Sequence, residues 1–251
     1  MIKRLAVFGA FYLFAVPPMW SQTSNDQILQ ELKAIRESQQ AIQTELQEIR
    51  KLVNQPRAAA PDVLPKDPIN VSKDPAKGER GAKVALIEYS DYQCPFCSRF
   101  GKDAYPQIET DFIKTGKLQY YFRDLPLDFH KEAFKAAEAA HCSGEQGKFW
   151  EMHDHLFQNQ KALAPENLTK YAEAIQLNTT VFNQCLESGR YATDIKKDIT
   201  EANNAGITGT PTFLIGTINK DGTVKITRKL VGAKPYAEFK AAIESVLGTL
   251  Q

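Results

Sequence analysis

The chain is 251 residues long and 43% hydrophobic, enough to bury a full core with sequence left over. Its 31 basic and 30 acidic residues are interspersed and leave a net charge of +1. That balance argues against nucleic acid or an anionic membrane surface as the main partner.

Residues 1–21 read as an export signal or an anchor. Lys3 and Arg4 form a basic start, and Leu5 to Val16 is an apolar run too short to span a bilayer comfortably. Pro17-Pro18-Met19-Trp20-Ser21 offers no small-x-small cleavage site, so a cleaved signal and an uncleaved anchor both stay open. In either case the body of the protein is expected outside the cytoplasm, periplasmic or otherwise exported. Its four cysteines then meet oxidising conditions.

Residues 25–53 change character. Ile28, Leu32, Ile35, Gln39, Ile42, Leu46, Ile49 and Val53 recur in alternating steps of four and three. Isoleucine holds every d position of that heptad and Leu, Gln, Leu and Val hold a, so the segment reads as a coiled-coil oligomerisation helix. Glu31 with Arg36, and Glu45 with Arg50, fall at g and the following e, the pairing of parallel strands. Leu at a with Ile at d disfavours dimers, so a homo-oligomer is expected, a trimer first. A helix folding back on its own domain is the alternative. Residues 54–82 carry Pro56, Pro61, Pro65, Pro68 and Pro75 and read as a semi-rigid linker, with Ile69-Asn70-Val71-Ser72 as a candidate edge strand.

Val84-Ala85-Leu86-Ile87-Glu88-Tyr89 has the make-up of a buried strand. Phe100, Tyr105, Ile108, Phe112 and Ile113 then recur at helical spacing, so a helix starts at or near Cys94-Pro95-Phe96-Cys97. A helix N-terminus holds unpaired N–H groups and the positive end of the macrodipole, and both stabilise a thiolate on Cys94. Pro95 costs nothing there, because the first helical residue has no N–H partner to lose. Two intervening residues bring both sulfurs within bonding reach. Cys94, expected to be the more exposed, is the candidate nucleophile, and Cys97 the resolving thiol. Half a zinc site and an inert bridge are the competing readings. Zinc needs a second ligand pair, and Cys142 and Cys185 each lack a close cysteine. His141, His153 and His155 show no ligand spacing, and no metal or cofactor is expected.

Leu118 to Arg123 is a second strand. Strand, helix and strand in that order make a right-handed crossover and a parallel pair. From His130 to about Gly206 the sequence is helical, with helices near 131–142, 145–158, 166–176, 179–188 and 190–205. A hairpin follows, Thr212–Ile215 and Val224–Thr227 around Lys220-Asp221-Gly222, and Tyr236 to Leu247 closes the chain as an amphipathic helix. Without the helical block the remainder is a small α/β sheet with helices on both faces.

With these motifs in place, the stretch from Lys83 to Leu250 resembles thioredoxin-fold proteins of the DsbA type. The motifs are Cys94-Pro95-Phe96-Cys97 after a strand, Gly209-Thr210-Pro211-Thr212 before the hairpin, and Phe149-Trp150-Glu151-Met152-His153 in the helical block, which looks like the BdbD branch. The resemblance implies an α/β thioredoxin fold over residues 83–251 with an all-helical insertion at 130–206, preceded by the coiled-coil helix. It implies a protein thiol:disulfide oxidoreductase whose partners are cysteine-containing clients and a membrane or soluble protein that recycles the active site. Pro211, after Thr210, is then the cis-proline facing the cysteines. Glu88, six residues before Cys94, is then the buried acid beneath them and a base toward Cys97. A solvated edge-strand glutamate is the other reading of Glu88.

DsbA itself has a histidine where this chain has Phe96. An imidazole donates to a thiolate and a phenyl ring does not, so a weaker oxidant is expected. Thr210 is a further departure and resembles the isomerase branches, which leaves oxidase and isomerase both open. Cys142 and Cys185 fall on helices of the insertion. They read as a structural disulfide closing a loop of about 43 residues, against two free thiols or a second redox pair. Two functions of other classes also stand: a copper(I)-binding dithiol chaperone, since soft thiolates suit that ion, and a non-catalytic oligomer that binds client chains.

Overall fold

The computed structural model describes residues 22–54 and 64–250, so the segment read as an export signal or anchor lies outside the described residues. The chain divides into two compact units, residues 1–60 and 61–251. In the first, α1 (Gln22–Asn54) is a single helix of 33 residues. The apolar seam residues Ile28, Leu32, Ile35, Ile42, Leu46 and Ile49 are all exposed in the single chain.

The second unit is built on a six-stranded sheet in the order β1-β6-β5-β3-β4-β2. β3 (Val84–Ser90) and β4 (Leu118–Asp124) run parallel, joined by α2 (Pro95–Asp103), α3 (Tyr105–Ile108) and a short π-helix over Glu109–Ile113. Five helices follow: α4 (Ala133–Gly144), α5 (Phe149–Gln158), α6 (Pro165–Ala174), α7 (Thr179–Ser188) and α8 (Ala192–Asn204). β5 (Thr212–Ile218) then lies antiparallel to β3, β6 (Thr223–Val231) pairs with β5, and α9 (Tyr236–Leu247) completes the fold. This is a thioredoxin fold interrupted by a helical insertion.

Two strands lie in the segment read as linker. β1 (Ile69–Asn70) pairs with β6 at one edge, and β2 (Ala76–Lys77) pairs with β4 at the opposite edge. The second of these was not anticipated, because two residues carry no periodicity to read. Helix ends differ from the sequence boundaries by up to four residues. α5 begins at Phe149 rather than 145 because Gly147 takes a left-handed φ of 73° and turns the chain.

Every residue of β3 and β4 is buried, as expected of strands covered on both faces. Val84, Leu86, Tyr120, Phe122, Phe213 and Ile215 pack with Phe100 of α2, Met152 of α5 and Phe239 of α9. On the opposite face Ala85, Ile87, Tyr89 and Leu214 pack with Ala202 of α8 and with Ile207. Glu88 and Ser90 follow the alternation of Val84 and Leu86, so both emerge on the face that carries α2.

Cys142 of α4 and Cys185 of α7 are joined by a disulfide, with Cα atoms 5.8 Å apart and a sequence separation of 43. The chain-entropy treatment gives a loop of this length up to about 4 kcal/mol of stabilisation. The double substitution Cys142→Ala/Cys185→Ala is expected to lower stability by about that amount, read from urea midpoints without reductant. A loss below about 1 kcal/mol would mean that apolar packing alone holds the insertion together.

Candidate active site

The turn between β3 and α2 is organised by Asp91. Its buried carboxylate accepts from the Gln93 N–H at 2.7 Å and the Leu127 N–H at 2.8 Å, and lies 2.7 Å from Nδ1 of His130. Its carbonyl oxygen accepts from the Cys94 N–H. From beyond α5, Gln160 Nε2 donates to the carbonyl oxygens of Tyr92 and Cys94 at 2.8 and 2.9 Å. The turn is therefore held by the loop after β4 and by the helical insertion. The sequence offered no sign of Asp91 or Gln160 in these roles, since an aspartate in a turn and a glutamine after a helix are both commonplace.

Cys94 is the N-cap of α2, in extended conformation, and Pro95 occupies the first helical turn. Cys94 and Cys97 are both free thiols, so this is the reduced form. Cys94 is the less deeply buried of the two thiols, as expected, but neither sulfur stands open to solvent. Cys94 is 3% exposed and Cys97 2%, because the loop carrying Thr210 covers the first sulfur. Cys94 Sγ lies 3.4 Å from the Thr210 carbonyl oxygen, and the Thr210–Pro211 peptide bond is cis, with Pro211 buried. The structure thus brings Cys94, Cys97, Thr210 and Pro211 together from two distant parts of the chain.

The two thiols are driven apart in acidity. A hydrogen bond from the Cys97 thiol holds Cys94 down to about 5, against the effect of its own burial. The Thr210 hydroxyl and the N–H groups of Cys97 and Phe96 act in the same direction. Burial pushes the Cys97 thiol well above the ordinary thiol value, and the hydrogen bond to Cys94 and the nearby Glu88 charge add to it. One sulfur is ionised at neutral pH and the other holds its proton.

Glu88 lies on β3, in the middle of the sheet, and is 2% exposed; it is not a solvated edge residue. Tyr120 donates to its Oε2 at 2.6 Å. Burial raises the Glu88 carboxyl to about 7, with the nearby Ser90 hydroxyl and the Tyr120 hydrogen bond opposing and the Cys94 charge assisting. Since the folded value lies above the unfolded one, the penalty is absent below the unfolded value and complete above about pH 7, where it is worth about 3 kcal/mol. Glu88→Gln, which keeps an acceptor for Tyr120, is therefore expected to match wild type in acid and exceed it in stability above neutrality. Urea midpoints of the reduced proteins on either side of pH 7 check this, and equal midpoints at high pH would contradict it.

Behind the cysteines, between α2 and α5, lies a cleft of about 330 Å³ whose lining includes Cys97, Glu88 and Tyr120. His153 sits at this cleft among Tyr92, Phe122, Trp150 and Phe157, with Nδ1 2.9 Å from Asp154. His141 Nε2 lies 2.7 Å from Asp124. Among the described residues no group of three or more His, Cys, Asp or Glu side chains is placed to hold a metal ion. Three apolar side chains around the turn stand open to solvent. Phe96 lies between the two cysteines in the chain with the Arg99 guanidinium over its ring, Phe129 is on the loop that Asp91 latches, and Val231 is opposite Thr212 in the β5–β6 register.

A thioredoxin family model matches residues 70–245. Among solved structures, the chain is similar to α-DsbA1 of Wolbachia pipientis, with 28% identity, a TM-score of 0.62 and coverage of 72% of this chain and 94% of that one. It is also similar to oxidised BdbD of Bacillus subtilis, with 26% identity, a TM-score of 0.61 and coverage of 72% and 99%. Among curated proteins it is similar to the Na(+)/H(+) antiporters NhaA 1 of Salinispora arenicola and NhaA 3 of Salinispora tropica, each 38% identical over 63% and 59% of this chain. The chain spans only about a quarter of those relatives, 24% and 22% of their length. No helix among the described residues is long and apolar enough to cross a membrane.

Proposed function

Because the chain belongs to the thioredoxin family, we propose that it is a DsbA-type thiol:disulfide oxidoreductase that exchanges disulfides with cysteine-containing client proteins through Cys94 and Cys97. The observation that carries this reading is the pair of opposed thiols, Cys94 held down to about 5 and Cys97 held up beside it. A thiolate of this kind serves as nucleophile toward a client disulfide and as leaving group from a mixed one. Thr210 and Pro211 form the wall beside the reacting sulfur, and Glu88 takes and returns the Cys97 proton. Exposed Phe96, Phe129 and Val231 give an unfolded client apolar contacts around the site. A membrane or soluble redox partner restores the active pair. The basic start, the short apolar run of residues 5–16 and the Cys142–Cys185 bond support action outside the cytoplasm.

The α1 seam extends the proposal. Its exposed apolar stripe is stabilised by burial against copies of itself, and a parallel trimer places three active sites around one axis. An isomerase must attack the same client repeatedly, so it gains most from that effective concentration. Insulin reduction and refolding of scrambled ribonuclease, run on the full chain and on a form lacking residues 25–53, test both parts. Both forms are expected to exchange disulfides, with the full chain a trimer by light scattering and the shortened form a monomer that has lost isomerisation. A full chain inactive in both assays would overturn the function, and a monomeric full chain would overturn the trimer.

A further inference from the structure

The hydroxyl of Ser90 is 1% exposed and, among the described residues, Oγ has no hydrogen-bond partner that meets ordinary geometry. An orphaned buried hydroxyl calls for an explanation, because leaving it unpaired costs about 1–3 kcal/mol. Its neighbourhood supplies one. Ser90 follows Glu88 by two positions on β3, so both side chains leave the same face of the sheet. That face carries α2, and the hydroxyl lies close enough to both the Glu88 carboxylate and the Cys97 thiol to act on the acidity of each. Glu88 and Cys97 also share the cleft behind the active site, whose rim includes the exposed Lys102, Asp154 and Gln158.

We propose that the Ser90 hydroxyl relays the proton between the Cys97 thiol and the Glu88 carboxylate, with Glu88 exchanging that proton with water in the cleft. The inference rests on the exchange activity proposed above and assigns its proton path. The step balances. Ser90 accepts the thiol proton while its own passes to Glu88, so Cys97–SH and Glu88–COO⁻ become Cys97–S⁻ and Glu88–COOH, and Ser90 ends neutral. The Cys97 thiolate then attacks Cys94 Sγ of the mixed disulfide, the Cys94–Cys97 bond forms, and the client sulfur leaves with the electron pair of the broken bond. In the opposite direction the same relay reprotonates Cys97. A hydroxyl suits this task because it is donor and acceptor at once. The path also keeps the proton away from the side on which the client sits.

The groups facing Glu88 are Tyr92 in the turn after β3, Tyr120 of β4, Cys94 at the N-cap of α2, Cys97 and Lys102 of α2, Tyr105 of α3, Glu109 after it, His153 and Asp154 of α5, and Lys77 of β2. Burial raises all three tyrosines away from neutrality and lowers His153, and Cys94 carries no proton once it is in a mixed disulfide, so the step near pH 7 belongs to Glu88.

The test loads Cys94 with glutathione as a mixed disulfide and follows glutathione release by Cys97 across pH, for wild type, Ser90→Ala and Ser90→Gly. Wild type is expected to level off by about pH 7 as Glu88 ionises, since Cys94 in the mixed disulfide no longer adds its charge to the burial that raises Glu88. Ser90→Ala puts a methyl group where the relay stood. It is expected to slow release about 10-fold or more at neutral pH and to give a rate that keeps rising with hydroxide. Ser90→Gly leaves room for about one water, which restores much of the rate and the plateau. The pH midpoint of Cys94 alkylation stays in place in all three. Release from Ser90→Ala at the wild-type rate and with the wild-type profile overturns the relay alone. Equal slowing in both variants with an unchanged profile also overturns it, as the sign of a structural role. A wild-type Cys94 that forms no mixed disulfide overturns the relay together with the exchange activity beneath it.

Discussion

Replacing Cys94 by serine is expected to lower disulfide exchange at least about 10³-fold, the scale on which loss of a catalytic nucleophile acts. Cys97 has no means of substituting for it, because burial and the neighbouring Glu88 hold its proton in place. Serine at 94 keeps the helix N-terminus and the approach to Thr210, so the fold remains and only the sulfur chemistry goes. The two substitutions at 97 separate the roles further. Cys97→Ser leaves a donor beside Cys94 and is expected to accumulate client chains as mixed disulfides, since nothing resolves them. Cys97→Ala removes the largest influence on the Cys94 acidity, so the alkylation midpoint moves up from about 5. Insulin reduction, non-reducing electrophoresis and pH-dependent alkylation read these outcomes. Residual exchange above a few per cent in Cys94→Ser would move the nucleophile elsewhere.

The reduced protein is expected to gain stability over the oxidised one as pH rises. Cys94 falls from an ordinary value of 9.0 to about 5 on folding, and the thiolate exists only in the reduced form. A depressed folded value contributes stability that is complete above the unfolded value and is lost as pH falls through the folded one. The gain therefore accumulates between about pH 5 and pH 9, and at pH 7 it is on the order of 3 kcal/mol. Glu88 titrates in both redox forms and largely cancels in the comparison. Because the gain favours the dithiol, it makes the disulfide a stronger oxidant, by about 60 mV relative to a pair with ordinary acidity. Urea unfolding of both forms in acid and at neutral pH isolates the pH-dependent part. A stability difference that stays constant between those conditions would mean that Cys94 is not ionised in the folded protein.

Much of the fold was legible in the sequence. The runs of β3 and β4, the Cys94 motif at a helix start and the returning hairpin are each local signals of period or punctuation, and Tyr92 to Cys97 reads as a strand-to-helix turn without any tertiary information. The heptads of α1 are a local signal too, and its helix is present. The unequal protonation of the two thiols was not legible in magnitude. It depends on Cys97 donating to Cys94 and on Glu88 being buried below, and both follow from packing. How far Cys94 itself is covered was not legible, because the Thr210 loop over it lies 116 residues away in the chain. Asp91, Gln160, β2 and the orphaned Ser90 hydroxyl were invisible for the same reason. What the sequence determined by itself was where strands and helices form and which cysteines stand at a helix end, since backbone propensity and apolar period act over a few residues. Only the tertiary structure decided which groups face one another around Cys97, because desolvation and hydrogen bonding depend on side chains that chain order keeps apart.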